Sequence, residues 1–157
     1  MPELIQNFDD LYRIYSALFP HTNHIGATRD QFLKANPRVP HLRGVYLVWR
    51  KSENHPLYIG SSGKIEKDLA LSGQTVRQRL FGSSTPYHFD ATAHVFRYGP
   101  TTSGVPPAGY TYAINLADIC ISTIATPNNI APTVLEHLLI QGYINQHGDL
   151  PAANQKI

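Results

Sequence analysis

Two tripeptides mirror each other across one short segment, Gly44-Val45-Tyr46 and Tyr58-Ile59-Gly60, with eleven residues between them. Side chains alternate across a strand, so the two phenols share a face if residue 46 pairs with 60 and residue 50 with 56. In that register Gly60 lies opposite Tyr46, and its missing side chain leaves room for another backbone or a ligand to approach the phenol. An odd register would separate the two rings. A second group of interest is Glu136. On a helix expected from about Asn129 to Gln146, Leu135, Leu138 and Leu139 form the buried stripe, while Glu136 shares another face with Ile140 and Tyr143. A carboxylate on a partly apolar face is costly unless it meets a cation, a hydrogen-bond donor or a cleft. Arg77 and Arg79 both lie to the side of the Val76 and Leu80 stripe of a short helix over 75–81, and helical geometry does not choose between them.

These groups must be positioned by a mixed set of elements. Leu4, Ile5, Phe8, Leu11, Tyr15 and Leu18 recur at a helical spacing over residues 3–18, and Pro20 stops that helix. Thr28 and Gln31 form a capping-box pattern before a helix over 28–35 that ends at Asn36-Pro37. β-Branched and aromatic residues over 44–51, a turn over 52–56 and a return over 57–61 predict an antiparallel hairpin. Strands over 94–98 and 110–114 flank a Pro/Gly-rich connection, which predicts a second hairpin with a long tip. Residues 118–126 read as a buried strand, and Pro132 and Gly148 mark the start and stop of the last helix. Hairpins without regular βαβ alternation give the α+β class, a small antiparallel sheet flanked by helices.

The chain has 157 residues, enough for a single core, and its 12 prolines and 11 glycines predict many loops. One cysteine, Cys120, excludes an intramolecular disulfide framework and a multi-cysteine zinc site. No signal-like N-terminus and no apolar run of membrane-spanning length is present, so a cytoplasmic location without a membrane partner is expected. The net charge is +2, but Arg29, Lys34, Arg38, Arg43, Arg50 and Lys51 face only Asp30 between residues 29 and 51. That local excess points to an anionic partner.

The pattern G-[IV]-Y, eleven residues, Y-[IV]-G resembles the signature of the GIY-YIG nuclease superfamily. Other segments follow in the family's order. V-R-Q-R-L, residues 76–80, is similar to its first-helix motif and favours Arg79 over Arg77 as the essential arginine. The helix over 133–148 is similar to the one whose glutamate binds a divalent metal, and Glu136 is its only acid. Leu150-Pro151-Ala152-Ala153-Asn154 resembles the terminal segment whose asparagine supports the site. The likeness covers about residues 43–82 and 117–156 of a single domain, leaving 1–42 as an N-terminal helical extension and 83–116 as a β-hairpin insertion. The interval from Gly60 to Arg79 is longer than usual in the family. Ser83 stands where some members carry a histidine, and His88, in a loop, is the candidate substitute.

The resemblance implies a metal-dependent DNA endonuclease, restriction-type in its compactness. Tyr46 would act as a base made accessible by nearby positive charge, with Tyr58 assisting, Arg79 on the phosphate, and Glu136 holding Mg2+ or Mn2+. Asn154 would complete the catalytic set. Arg43, Arg50, Lys51, Lys64, Lys67, Arg77 and His88 are the candidate DNA contacts. The alternative is a catalytically inactive nucleic-acid-binding module with the same fold; a plain interaction domain would leave the ordered residue set to coincidence. Monomer and homodimer remain equally open.

Overall fold

A computed structural model describes residues 7–28, 31, 32, 34, 42–62, 75–81, 87–101 and 110–154. The first helix, α1 (Phe8–Leu18), starts where the Asn7 side chain accepts a hydrogen bond from the Asp10 backbone N–H at 2.9 Å. Asp9 and Asp10 in its first turn complement the helix dipole. The chain then forms a strand that the periodicity of the sequence does not announce, β1 (His21–Gly26). It is polar, only Thr22 is buried, and a bulge between Thr22 and Ile25 interrupts its pairing. Among the described residues, the N-terminal extension thus adds an edge strand after its first helix. The Thr28/Gln31 capping box forms, with Gln31 N donating to Thr28 Oγ1 at 3.2 Å. The remainder of the helix expected there lies outside the described residues.

Strands β2 (Gly44–Arg50) and β7 (Ile119–Ala125) occupy the interior of a four-stranded antiparallel sheet of order β1-β7-β2-β3, with β3 running from Pro56 to Ser61. Interior strands are covered on both faces, which is why GVYLVWR and ICISTIA are nearly continuous apolar runs. One face of this sheet carries α1 and the last helix, α3 (Pro132–His147), over Val45, Leu47, Trp49, Ile59 and Ile124. Pro132 opens α3 and Gly148, at φ 83°, closes it in the left-handed conformation that glycine adopts without strain. Gly142 lets the two helices approach, since a Cβ there would lie 2.8 Å from Leu11 Cδ1 and 3.0 Å from the Phe8 nitrogen.

Against the opposite face pack α2 (Val76–Phe81) and a second antiparallel sheet, β4 (Tyr87–Asp90), β5 (Val95–Thr101) and β6 (Tyr110–Asn115). The expected β-hairpin insertion is thus a three-stranded sheet, because YHFD contributes a strand. A short 3-10 turn, Leu116–Asp118, leads into β7. The molecule is α+β, two antiparallel sheets with three helices among the described residues. One helical expectation fails: Leu138 is 41% exposed. The buried stripe of α3 runs instead through Leu135, Leu139, Ile140, Gly142 and Tyr143, and Leu138 is turned away from its centre by the 100° step of the helix. No described helix is long and apolar enough to cross a membrane.

Candidate active site

The hairpin sets the register of the two tripeptides. Tyr46 pairs with Gly60 and Val48 with Tyr58, so both phenols point to the face covered by α2 and the second sheet. The expected pairing of 50 with 56 does not occur: a bulge after Val48 shifts the strands by one residue and sets Trp49 against Pro56. Tyr46 is flanked on its other side by Thr123 of β7. The two rings are tilted by 33° with centroids 6.0 Å apart. A Cβ on Gly60 would lie 2.6 Å from Tyr58 Cε1 and 2.7 Å from Tyr46 Cζ. The space vacated by Gly60 is therefore filled by the phenols themselves, not left for a ligand.

Arg79 comes from α2, whose start is fixed by a capping box the sequence reading did not single out. Thr75 N donates to Gln78 Oε1 at 3.0 Å and Gln78 N to Thr75 Oγ1 at 3.4 Å. Val76 N donates to the Leu42 carbonyl at 2.9 Å, and buried Val76 and Leu80 seat the helix on the tyrosine face. Glu136 projects from α3 beside buried Leu135 and Ile140 and retains 18% side-chain exposure. One carboxylate oxygen lies 3.7 Å from Nε2 of the exposed His137. The charges of both Arg79 and Glu136 act on Tyr46 and on Tyr58, so four segments distant along the chain converge on one neighbourhood.

Asn154 reaches this neighbourhood through the backbone. Its Oδ1 accepts from Ile59 N at 2.9 Å and its Nδ2 donates to Ile59 O at 2.9 Å, while Ala153 N donates to Leu57 O at 2.7 Å. The asparagine side chain thus satisfies backbone groups on the open edge of β3 from a C-terminal turn. It grips the peptide between Tyr58 and Gly60 rather than facing the phenols' hydroxyls.

Protonation departs from the sequence-based expectation. Burial pushes the Tyr46 phenol well above its ordinary value, with neighbouring Tyr87 and Glu136 adding to the shift and Arg79 opposing it. Tyr58 is raised as well, by burial first and then by Tyr46 and Glu136. Tyr46 has 0% exposed surface. The nearby guanidinium does not overcome desolvation, and both phenols are neutral near pH 7.

The sequence reading missed Tyr87. This fully buried residue of β4 places its hydroxyl 3.1 Å from the Tyr46 oxygen and 3.1 Å from the Arg79 carbonyl, donating to both. Its ring meets Tyr58 edge-on at 4.7 Å. The alternation of apolar and polar residues in Tyr87-His88-Phe89-Asp90 is a strand signal that could have revealed it. By the same alternation His88 is exposed, on the side of β4 opposite Tyr87, and lies on a strand rather than in a loop.

Among the other expected DNA contacts, Arg43 donates to Asn128 Oδ1 at 3.1 Å and Arg50 pairs with Glu53 at 3.6 Å. Lys51 is exposed and borders a cleft of about 560 Å³ between α1, β1 and the β2–β3 turn, whose lining includes neither Tyr46 nor Tyr58. Lys64, Lys67 and the side chain of Arg77 lie outside the described residues, as does Ser83. Compared with protein-family models, curated proteins and solved structures, the chain matches none.

Proposed function

We propose that the chain is a metal-dependent endonuclease of GIY-YIG type that hydrolyses phosphodiester bonds in DNA, restriction-type in its compactness and cytoplasmic. The observation that supports it best is that Tyr46, Tyr58, Arg79 and Glu136, each from a different element, lie close enough for the charges of Arg79 and Glu136 to act on both phenols. A phosphodiester resists attack through its own negative charge, so hydrolysis needs a placed water, donors at the phosphoryl oxygens and relief of charge. The guanidinium of Arg79 offers two parallel donors to those oxygens. The neutral phenols each offer a donor and an acceptor oxygen to orient the water.

The residues present fit a hard divalent ion. The largely enclosed carboxylate of Glu136, whose charge acts on both phenols, is a hard oxygen donor of the kind that suits Mg2+ or Mn2+, with waters and substrate oxygens completing the shell. Bound there, the ion would supply positive charge for the developing phosphoryl and alkoxide oxygens. Turnover requires that seating of DNA opens the enclosed phenols to water. One observation favours a second reading, a DNA-binding module without turnover: Tyr46 has no exposed surface at all.

Plasmid DNA incubated with wild type and with Glu136→Ala, with Mg2+ or with chelator, separates the two. Cuts by wild type in Mg2+ alone, lost in Glu136→Ala and in chelator, are expected. Retention of DNA without cuts would support the binding module, and neither outcome would remove both.

A further inference from the structure

We infer that Tyr87 is a positioning residue of the proposed phosphodiesterase site, and that the second sheet is therefore part of that site rather than an appendage. The inference rests on the endonuclease reading above. Three phenols pack as one cluster, with ring centroids 6.0 Å between Tyr46 and Tyr58, 4.7 Å between Tyr58 and Tyr87, and 6.4 Å between Tyr46 and Tyr87. The Tyr87 hydroxyl reaches two members of the proposed machinery. At 3.1 Å from the Tyr46 oxygen and 3.1 Å from the Arg79 carbonyl, it ties a side chain of β2 to the backbone of α2.

The chemistry of the two acceptors makes this link specific. A carbonyl oxygen can only accept, and a phenol carries one proton, so Tyr87 shares a single donor between Tyr46 and the helix that carries Arg79. Any displacement of α2 relative to β2 weakens one of the two bonds. The hydroxyl thus fixes the distance between the Tyr46 oxygen and the arginine's helix, and it limits how the Tyr46 hydroxyl can turn. Tyr87 itself is held from behind: Tyr110 donates to its carbonyl at 3.4 Å, and Phe89 and Phe96 pack on its ring at 5.6 and 5.7 Å. A residue with 0% exposure cannot contact substrate in this arrangement, so its effect passes through Tyr46 and Arg79.

Tyr87→Phe keeps the ring and removes only the shared donor. Steady-state cleavage of a DNA substrate in Mg2+ is measured for wild type, Tyr87→Phe and Tyr98→Phe, the last a hydroxyl deletion in the same sheet outside the cluster's hydrogen bonds. Urea unfolding of each is measured in parallel. Tyr87→Phe should lower kcat about tenfold, the rate equivalent of one hydrogen bond, with KM within about twofold of wild type. Its unfolding midpoint should stay near wild type, and Tyr98→Phe should match wild type in kcat and KM. An unchanged kcat in Tyr87→Phe, beside an active wild type, would overturn the inference and leave the nuclease reading intact. A fall in kcat matched by a collapse of the unfolding midpoint would overturn it in favour of a purely structural tyrosine. A wild type that does not cut would overturn the nuclease reading first and this inference with it.

Discussion

A phenol with no exposed surface keeps its proton, and Tyr46 is such a phenol. Its oxygen is packed against Tyr87 and a bare glycine, and desolvation outweighs the pull of the Arg79 charge. The consequence for stability has a definite sign. A folded-state pKa raised above the unfolded value of about 10 means that the native state holds its proton longer than the unfolded chain. The stabilisation is complete below about pH 10 and is lost as pH rises beyond it toward the folded-state value. Urea midpoints measured from pH 8 to 11 should therefore fall above pH 10 in wild type. In Tyr46→Phe, which has no proton to lose there, the fall should be shallower. An identical alkaline decline in both would mean that Tyr46 is solvated.

Strand β3 lies at one edge of the main sheet, where unpaired backbone groups invite pairing with a stray chain. The C-terminal segment covers part of that edge, with Ala153 bonded to Leu57 and Asn154 bonded twice to Ile59. Asn154→Ala would strip both partners from the Ile59 peptide. It should lower stability by about 1–3 kcal/mol, read as a lower urea midpoint, and weaken cleavage by loosening the strand that carries Tyr58. An unchanged midpoint would show that water replaces the amide without cost.

The legibility of the elements follows from the same physics. β2 and β7 were readable because interior strands must be apolar throughout, and α3 because Pro132 and Gly148 mark its ends. β1 was not, since an edge strand with one buried residue, His21 to Gly26, leaves no periodic trace. The bulge after Val48 was equally silent, although Tyr46 opposite Gly60 followed from the even register.

The molecule is layered, α1 and α3 on one side of the four-stranded sheet and α2 with a second sheet on the other, with the phenol cluster pressed between the two sheets. That layering explains why the site was partly legible. Tyr46, Tyr58, Arg79 and Glu136 belong to segments whose local patterns resemble one family's series. The alternation around Tyr87 marks its strand, but not its role, because its contacts cross from one sheet to the other and no local pattern encodes which face of an added sheet meets which tyrosine. Leu138 went astray for a related reason: α3 buries its stripe against α1 as well as the sheet, a contact that Gly142 permits and that rotates the buried centre toward Glu136.

If the four groups work as one site, their deletions cannot act independently. The deciding measurement is the single-turnover rate of DNA cleavage in Mg2+ for wild type, Arg79→Ala, Glu136→Ala and the double variant. Each single change should slow cleavage at least about a hundredfold, and the double should be no slower than the worse of the two. Losses that multiply in the double variant, or single variants that cut at the wild-type rate, would contradict a shared site.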